Sequence, residues 1–375
     1  MKEIMLRNFS IIEDTRSQCD VKHKMTDVLI LLMCAVLCGL DTLTEIVEYG
    51  EQKDTMLSSK FGIKKVPSES TLCRILNMVD ADILAICIVN IMKEFLGTAG
   101  DIIAIDGKAI CSTEAMKSYE RGLRIVTAYI TKNGVSLGQL SVDEKTNEIP
   151  CVRELLDLID IRGKTITADA EHCQKDTVKK IIKKQGDYCI CVKGNQRNFY
   201  EDIKLYCDDM INGSFPCETA RTSEKNRERY EIRECFLSED ITWLSQKEEW
   251  TGLHSVFAIR RTTSKDDIKS VETNYYISSL RVGAERFLKI VRDHWKIESL
   301  HWQLDVVFSE DDCRRMSKNG QKSMNIFRKI ALAVHKNYKE QTQHKKSLKK
   351  QMFTCLLNDN ELFRVISMQS PRNIP

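Results

Sequence analysis

Residues 101–110 read DIIAIDGKAI. The apolar run that opens this stretch is short and bounded by turn signals, as a buried strand is. Reading on, LRIVTAYITKNGVSLGQLSVD (123–143) is two strands around Asn133-Gly134. That dipeptide suits a tight hairpin because both residues tolerate positive φ. CVRELLDLIDI (151–161) has helical spacing, and KTITADA (164–170) is a strand that ends in an acid. CQKDTVKKIIKKQG (173–186) is an amphipathic helix closed by a glycine, and DYCICVKG (187–194) is a strand again. The order is strand, strand, strand, helix, strand, helix, strand. Helices alternating with the later strands favour parallel pairing there.

Three antiparallel strands followed by that alternation form a ribonuclease H-like pattern. The expected fold class is therefore α/β: a ribonuclease H-like core with a β-rich insertion, plus an N-terminal helical domain. Residues 1–98 make the helical domain. MTDVLILLMCAVLCGLDTLTEIVEYGEQK (25–53) has aliphatics at helical spacing, and VPSESTLCRILNMVD (66–80) offers a start signal, with Ser68 or Ser70 able to cap. Residues 99–340 make the core domain. Its insertion covers about 197–285, where RYEIRECFL, HSVFAIRRTT and NYYISSL read as strands. AERFLKIVRDHWKIESLHWQLDVVF (284–308) reads as one long helix, and residues 341–375 as a helical tail. The basic run HKKSLKKQ (344–351) is expected to be a solvated helix end.

Bulk properties narrow the function only slightly. Lys+Arg 57 against Asp+Glu 54 gives a net charge of +3, which neither demands nor excludes a nucleic-acid partner. If DNA binds, the basic residues have to be clustered. The 15 cysteines contain no Cys-x-x-Cys pair, and many sit in apolar runs, so they read as small buried hydrophobes of a reducing compartment. The apolar run Val28 to Leu40 is too short to span a bilayer and too far from the start for a signal peptide. A cytoplasmic protein with no membrane partner is expected.

Chemistry is suggested by the stretch DHWKIESLHWQLDVVFSEDD (293–312). Wound at about 100° per residue, His294, Glu298, His301 and Asp305 fall within roughly 40° of one another. Ile290, Ile297, Leu304 and Phe308 flank that stripe on one side, and Val291, Trp295 and Trp302 on the other. Lys296, Ser299 and Gln303 lie opposite and are expected to face water. An enclosed carboxylate is costly unless paired, hydrogen-bonded or metal-bound, so the stripe is either a site or a buried Glu–His network. Asp106 and Asp169 each end a strand, and strands of such a sheet bring their last residues to a common edge. Three carboxylates around two divalent ions suit phosphodiester chemistry, with Mg²⁺ or Mn²⁺ as the natural partner of hard oxygen ligands. No P-loop, GxSxG or HExxH pattern competes.

Read together, AIDGKAI, DEKTNEIP, TADAEHCQ, VKGNQ, YYISSL and HWKIESLHWQLDVVFSEDDCRRM resemble, in order, the DDE transposases of the bacterial ISAs type and the related H-repeat-associated proteins. CGLDTLTEIVEYG and VPSESTLCRIL resemble that family's associated N-terminal domain. The resemblance implies a metal-binding catalytic triad of Asp106, Asp169 and Glu298, two Mg²⁺ (or Mn²⁺) ions, and cut-and-join chemistry at the ends of a mobile element. His294 and Asp305 take supporting roles, with His301 beside them on the stripe. Glu310 is the alternative third acid. Lys108, Lys193, Asn195 and Gln196 are candidate DNA contacts, as are Arg314 and Arg315 after the acidic helix. Trp295 and Trp302 either stack on a base or pack beneath the helix. The chain departs from the family pattern at Cys111 and at Glu171-His172. Expected partners are double-stranded DNA and, on DNA, further copies of the chain. A nuclease without strand transfer and an inactive DNA-binding derivative are the alternatives.

Overall fold

One nine-stranded sheet, in the order β3-β2-β1-β4-β5-β9-β8-β7-β6, organises the chain. It is seen in a computed structural model that describes residues 2–16, 21–98, 100–110, 123–142, 147–226, 229–265, 268–312, 317–343 and 345–367. The strands are β1 (Ile102–Ile110), β2 (Leu123–Ile130), β3 (Ser136–Ser141), β4 (Thr165–Ala168), β5 (Asp187–Val192), β6 (Glu218–Asn226), β7 (Arg229–Ser238), β8 (Ser255–Lys265) and β9 (Ile268–Ser278). β1, β2 and β3 pair antiparallel, and β1, β4 and β5 pair parallel. Every residue of β4 is buried, as expected of a strand covered on both faces. Gly134, at φ 75°, closes the Asn-Gly turn.

The helices are α1 (Lys2–Phe9), α2 (Met25–Leu37), α3 (Leu43–Gln52), α4 (Asp54–Phe61), α5 (Glu69–Met78), α6 (Ala81–Leu96), α7 (Glu148–Leu158), α8 (Lys175–Lys183), α9 (Arg197–Ile211), α10 (Ala284–His294), α11 (Lys296–Phe308), α12 (Lys318–Thr342), α13 (Leu348–Leu357) and α14 (Asp359–Ser367). α2 is apolar nearly all round and correspondingly buried nearly all round. Thr42 and Glu45 form a reciprocal cap that starts α3 directly after it. α7 and α8 pack on the sheet beside β2, β3 and β5, while α10 packs on β1, β4, β6 and β7. α12 is the central strut, touching α2, α5 and α6 on one side and α11 on another.

Several expectations change. The segment after residue 197 opens with α9, and its four strands extend the core sheet because β9 pairs antiparallel with β5. β6, ETARTSEKN, escapes a pattern search because it has almost no apolar alternation. The single helix expected over 284–308 is two, divided at Trp295. β1 does not end at Asp106 but runs on to Ile110, because β2 continues to pair with it after β4 has stopped. Of the basic run, residues 345–351 lead into and open α13, with Ser347 as its cap, and residue 344 lies outside the described residues. The cysteines are free thiols and mostly buried among the described residues.

α12 buries an unusual set of polar side chains, several of which have partners across an interface. His335 Nε2 lies 2.7 Å from the Leu37 carbonyl at the end of α2. Asn337 donates to the Asn133 carbonyl in the hairpin turn. Lys329 Nζ donates to Thr127 Oγ1 on β2 and Gln139 Oε1 on β3, both at 2.7 Å. Burial pulls the Lys329 ammonium down to about 7, against a smaller opposing pull from Glu310. Because the folded value is depressed, the unfolded chain holds more protons between about pH 7 and the ordinary lysine range, and Lys329 opposes folding least at high pH. Wild type is therefore expected to gain stability relative to Lys329→Met as pH rises from 7 to 9.5. Paired urea titrations would measure this, and a pH-independent difference would refute the assignment.

Candidate active site

The last parallel pair between β1 and β4 is Ile105 with Ala168, so Asp106 and Asp169 emerge side by side at the carboxyl end of the parallel ladder. Alternation along the strands turns both toward the face covered by α10 and α11. Asp106 Oδ1 accepts from the Gly107 amide at 2.8 Å, and its Oδ2 lies 3.3 Å from His301 Nδ1. His294 sits between Thr167 Oγ1 at 3.0 Å and Asp169 Oδ1 at 3.3 Å. The hydrogen bond from His294 holds the Asp169 carboxyl below its usual range. Glu298, one turn after His294, is pushed the other way, first by partial burial and then by the charges of Asp169 and Asp106. The structure thus brings Asp106, Asp169 and Glu298 within electrostatic reach of one another, with His294 and His301 between them.

The stripe is not enclosed, contrary to the expectation from the helical wheel. α11 buries Ile297, Leu300, Leu304 and Phe308, and this one face suffices to dock it. Glu298 is exposed, and so are Trp295 at 41% and Trp302 at 61%. The tryptophans do not pack beneath the helix but stand in solvent beside the acids. Of the residues expected to face water, Ser299 does, whereas Lys296 and Gln303 are half-buried.

The other candidates divide. Lys193 follows β5 on the same edge, exposed, and close enough that its charge helps to lower Asp169. Asn195 donates to the Ala170 carbonyl at 2.8 Å, and Gln196 donates to the Cys173 carbonyl at 3.1 Å. Both brace the turn that follows Asp169. Lys108 is ion-paired with Asp305, Glu310 and Asp311, and only 11% of its side chain is exposed. Glu310 is fully buried, with Asn325 and Arg328 on Oε1 and Lys108 on Oε2, and so is closed off from the open stripe. Cys111, Arg314, Arg315 and all of DEKT (143–146) in the motif DEKTNEIP lie outside the described residues.

Two neighbours escaped the sequence reading. Glu148, in the first turn of α7, presses on Gly107 from the opposite face of the sheet, and a Cβ on Gly107 would drive into its carboxylate. Burial, then the Glu171 charge, raises the Glu148 carboxyl despite Arg124 at 3.3 Å. His172 is buried with Nε2 3.9 Å from Glu148, burial lowers its pKa, and its Nδ1 has no hydrogen-bond partner among the described residues. Asn147-Glu148 before an apolar run looks like an ordinary helix start, which hid it.

Two family descriptions match the chain: DDE_Tnp_1-associated over residues 6–92, and Transposase DDE domain over residues 97–334. The chain belongs to this family of DDE transposase-domain proteins. The "H repeat-associated putative transposase YhhI" of Escherichia coli K12 is 33% identical over 376 aligned residues, 97% of each chain. The "Putative transposase YncI" of Escherichia coli O157:H7 is 34% identical over 90% of this chain and 88% of its own. A piggyBac transposase synaptic complex with hairpin DNA, solved by cryo-EM, superposes at TM-score 0.43 with 11% identity, over 99% of this chain and 79% of that one, too loosely to bear on the fold.

Gly107→Ala is expected to destabilise the chain by about 1–3 kcal/mol through overpacking, and Glu148→Ala should recover most of that loss in the double variant. Thermal melts of the two single variants and the double would show this, and simple additivity would refute it. The raised Glu298 carboxyl contributes stability that is full below its unfolded pKa and lost as pH rises through the folded one. Without divalent cations, Glu298→Gln should therefore melt above wild type at pH 7, the gap closing toward pH 4. A variant that melts lower at pH 7 would contradict the crowding of acids.

Proposed function

We propose that this chain is a DNA transposase that cuts at the ends of a mobile element and joins them to target DNA. The observation that carries the reading is the convergence of Asp106, Asp169 and Glu298 on one solvent-open face at the end of the parallel strands. We take β1 to β5 as a ribonuclease H-like core, residues 1–98 as a helical domain, and 341–375 as a helical tail.

The donor set suits a divalent cation in kind. All three groups are hard oxygen donors, and a cation would relieve the repulsion from Asp169 and Asp106 that, after burial, raises Glu298. Among the described residues no three side chains stand at ligand spacing, and histidines hold two of the carboxylates. Asp106, Asp169 and Glu298 would hold the metal. Bound Mg²⁺ or Mn²⁺ would supply activation of an attacking hydroxyl and stabilisation of the leaving oxygen.

The protein's own share is orientation. His294 fixes Asp169 against β4, and His301 fixes Asp106 toward α11. Asn195 and Gln196 hold the turn after Asp169, so they act on DNA through that turn. Lys193 offers an exposed ammonium to a phosphate near the acids. Trp295 and Trp302 offer exposed ring faces on which bases can stack, which favours the stacking reading over internal packing. Two element ends require two active sites, which is the reason to expect a homo-oligomer on DNA.

Labelled DNA carrying the element's own ends, with Mg²⁺ or Mn²⁺, provides the test. Wild type should yield nicked and joined products. Asp106→Ala and Glu298→Ala should lose at least three orders of magnitude in rate while still binding DNA. Nicking without joining would make the chain a nuclease, and binding without cleavage in either metal would make it an inactive derivative. Mn²⁺ should also raise the melting temperature of wild type and not of Glu298→Gln.

A further inference from the structure

Lys108 lies two residues after Asp106 on β1, and Asp305 lies two turns after Glu298 on α11. Their ion pair joins the strand of the first acid to the helix of the third. The same ammonium donates to Glu310 Oε2 at 3.0 Å, in the tight turn Glu310–Asp312 that follows α11. Glu310 Oε1 accepts from Asn325 at 2.9 Å and Arg328 at 3.2 Å, both on α12. Arg328, itself fully buried, reaches on to Asp41 at 3.1 Å, in the turn between α2 and α3. Alternating charges therefore run from the N-terminal helices to the acids through two side chains with no solvent exposure.

We infer that Glu310 is a positioning residue, the hub of a buried charge chain Asp41–Arg328–Glu310–Lys108–Asp305 that sets the spacing between β1 and α11. Burying such charges is tolerable only when each is matched, so the loss of one member forces its neighbours to rearrange. An ammonium has three donors and no preferred plane, so Lys108 can serve both Asp305 and Glu310 only while Glu310 stays in place. The N-terminal helices thereby become part of what holds Asp106 and Glu298 apart, and a load on those helices reaches the acids through Arg328. Lys108 is a staple in this arrangement rather than a phosphate contact. The catalytic half of the inference rests on the role proposed above for the acids; the coupling half does not.

The chain has four tryptophans, of which Trp295 and Trp302 flank the acids while Trp243 and Trp250 lie elsewhere. Fluorine NMR of the full chain labelled with 5-fluorotryptophan, without divalent cations, reads the spacing independently of activity. Glu310→Gln, and the milder Asp41→Asn should Glu310→Gln fail to fold, are expected to shift the Trp302 resonance and leave those of Trp243 and Trp250 in place. In the nicking assay, Glu310→Gln should lose at least tenfold in kcat with KM for DNA within threefold, and Glu310→Asp should recover part of it. An unmoved Trp302 resonance in a folded variant would overturn the coupling, and an unchanged kcat would overturn the positioning role. If wild type nicks nothing while Trp302 still shifts, the acids' role fails and the coupling stands.

Discussion

The parallel pairing of β1 with β4 is the constraint on which the site depends. It spans only four residue pairs, yet it puts Asp106 and Asp169 in adjacent rows at the same end of the sheet. A shift of one residue in either strand would turn one of the two carboxylates to the other face. Burial on both sides of β4 resists such a slip, because it would move Ile166 to the face that Thr165 and Thr167 now occupy and put a threonine in its place. α11 then needs only one apolar face to hang over this edge, and its other face is left for chemistry.

Much of the central fold could be read from residues alone. The apolar runs of β1, β4 and β5, the Asn-Gly hairpin and the amphipathic α8 each carry a local signal strong enough to be seen without partners. What could not be read depends on neighbours. β6 is a strand because β7 pairs with it along its whole length, not because its own residues alternate. The break at Trp295 leaves helical spacing almost intact on either side. The continuation of β1 through Asp106-Gly107 looks like a turn until β2 supplies the ladder.

The site was legible in part for a related reason. Periodicity grouped Glu298, His301 and Asp305 on one face of α11, because a helix imposes that geometry by itself, whereas His294 belongs to α10, across the break at Trp295. It could not say whether the face is covered, which depends on elements distant in sequence. Glu298 turned out to be exposed and His294, His301 and Asp305 half-buried, with the tryptophans outside. Glu148 approaches Gly107 from the far side of the sheet with His172 beside it, and no one-dimensional pattern relates them to Gly107. Lys108 is the sharpest instance. Next to an acid in a loop-like sequence it resembles a surface cation, but Glu310, more than two hundred residues away, takes it inside.

The registers also cut a notch into one end of the sheet. β4 and β5 stop at Ala168 and Val192, whereas β1 continues five residues beyond its last pairing with β4, to Ile110. On the other flank, residues 268–274 of β9 run past the end of β5 in the same direction. At about 3.3 Å per residue, those extensions are walls of roughly 17 and 23 Å. Three strand spacings of about 4.8 Å separate them, so the gap is roughly 14 Å wide. The paired aspartates lie on the floor of this notch. A polymer approaching them in the plane of the sheet must enter lengthwise between two backbone walls, while α11 overhangs from one side. Under the function proposed above, the outline of the sheet would select the direction from which a phosphodiester arrives.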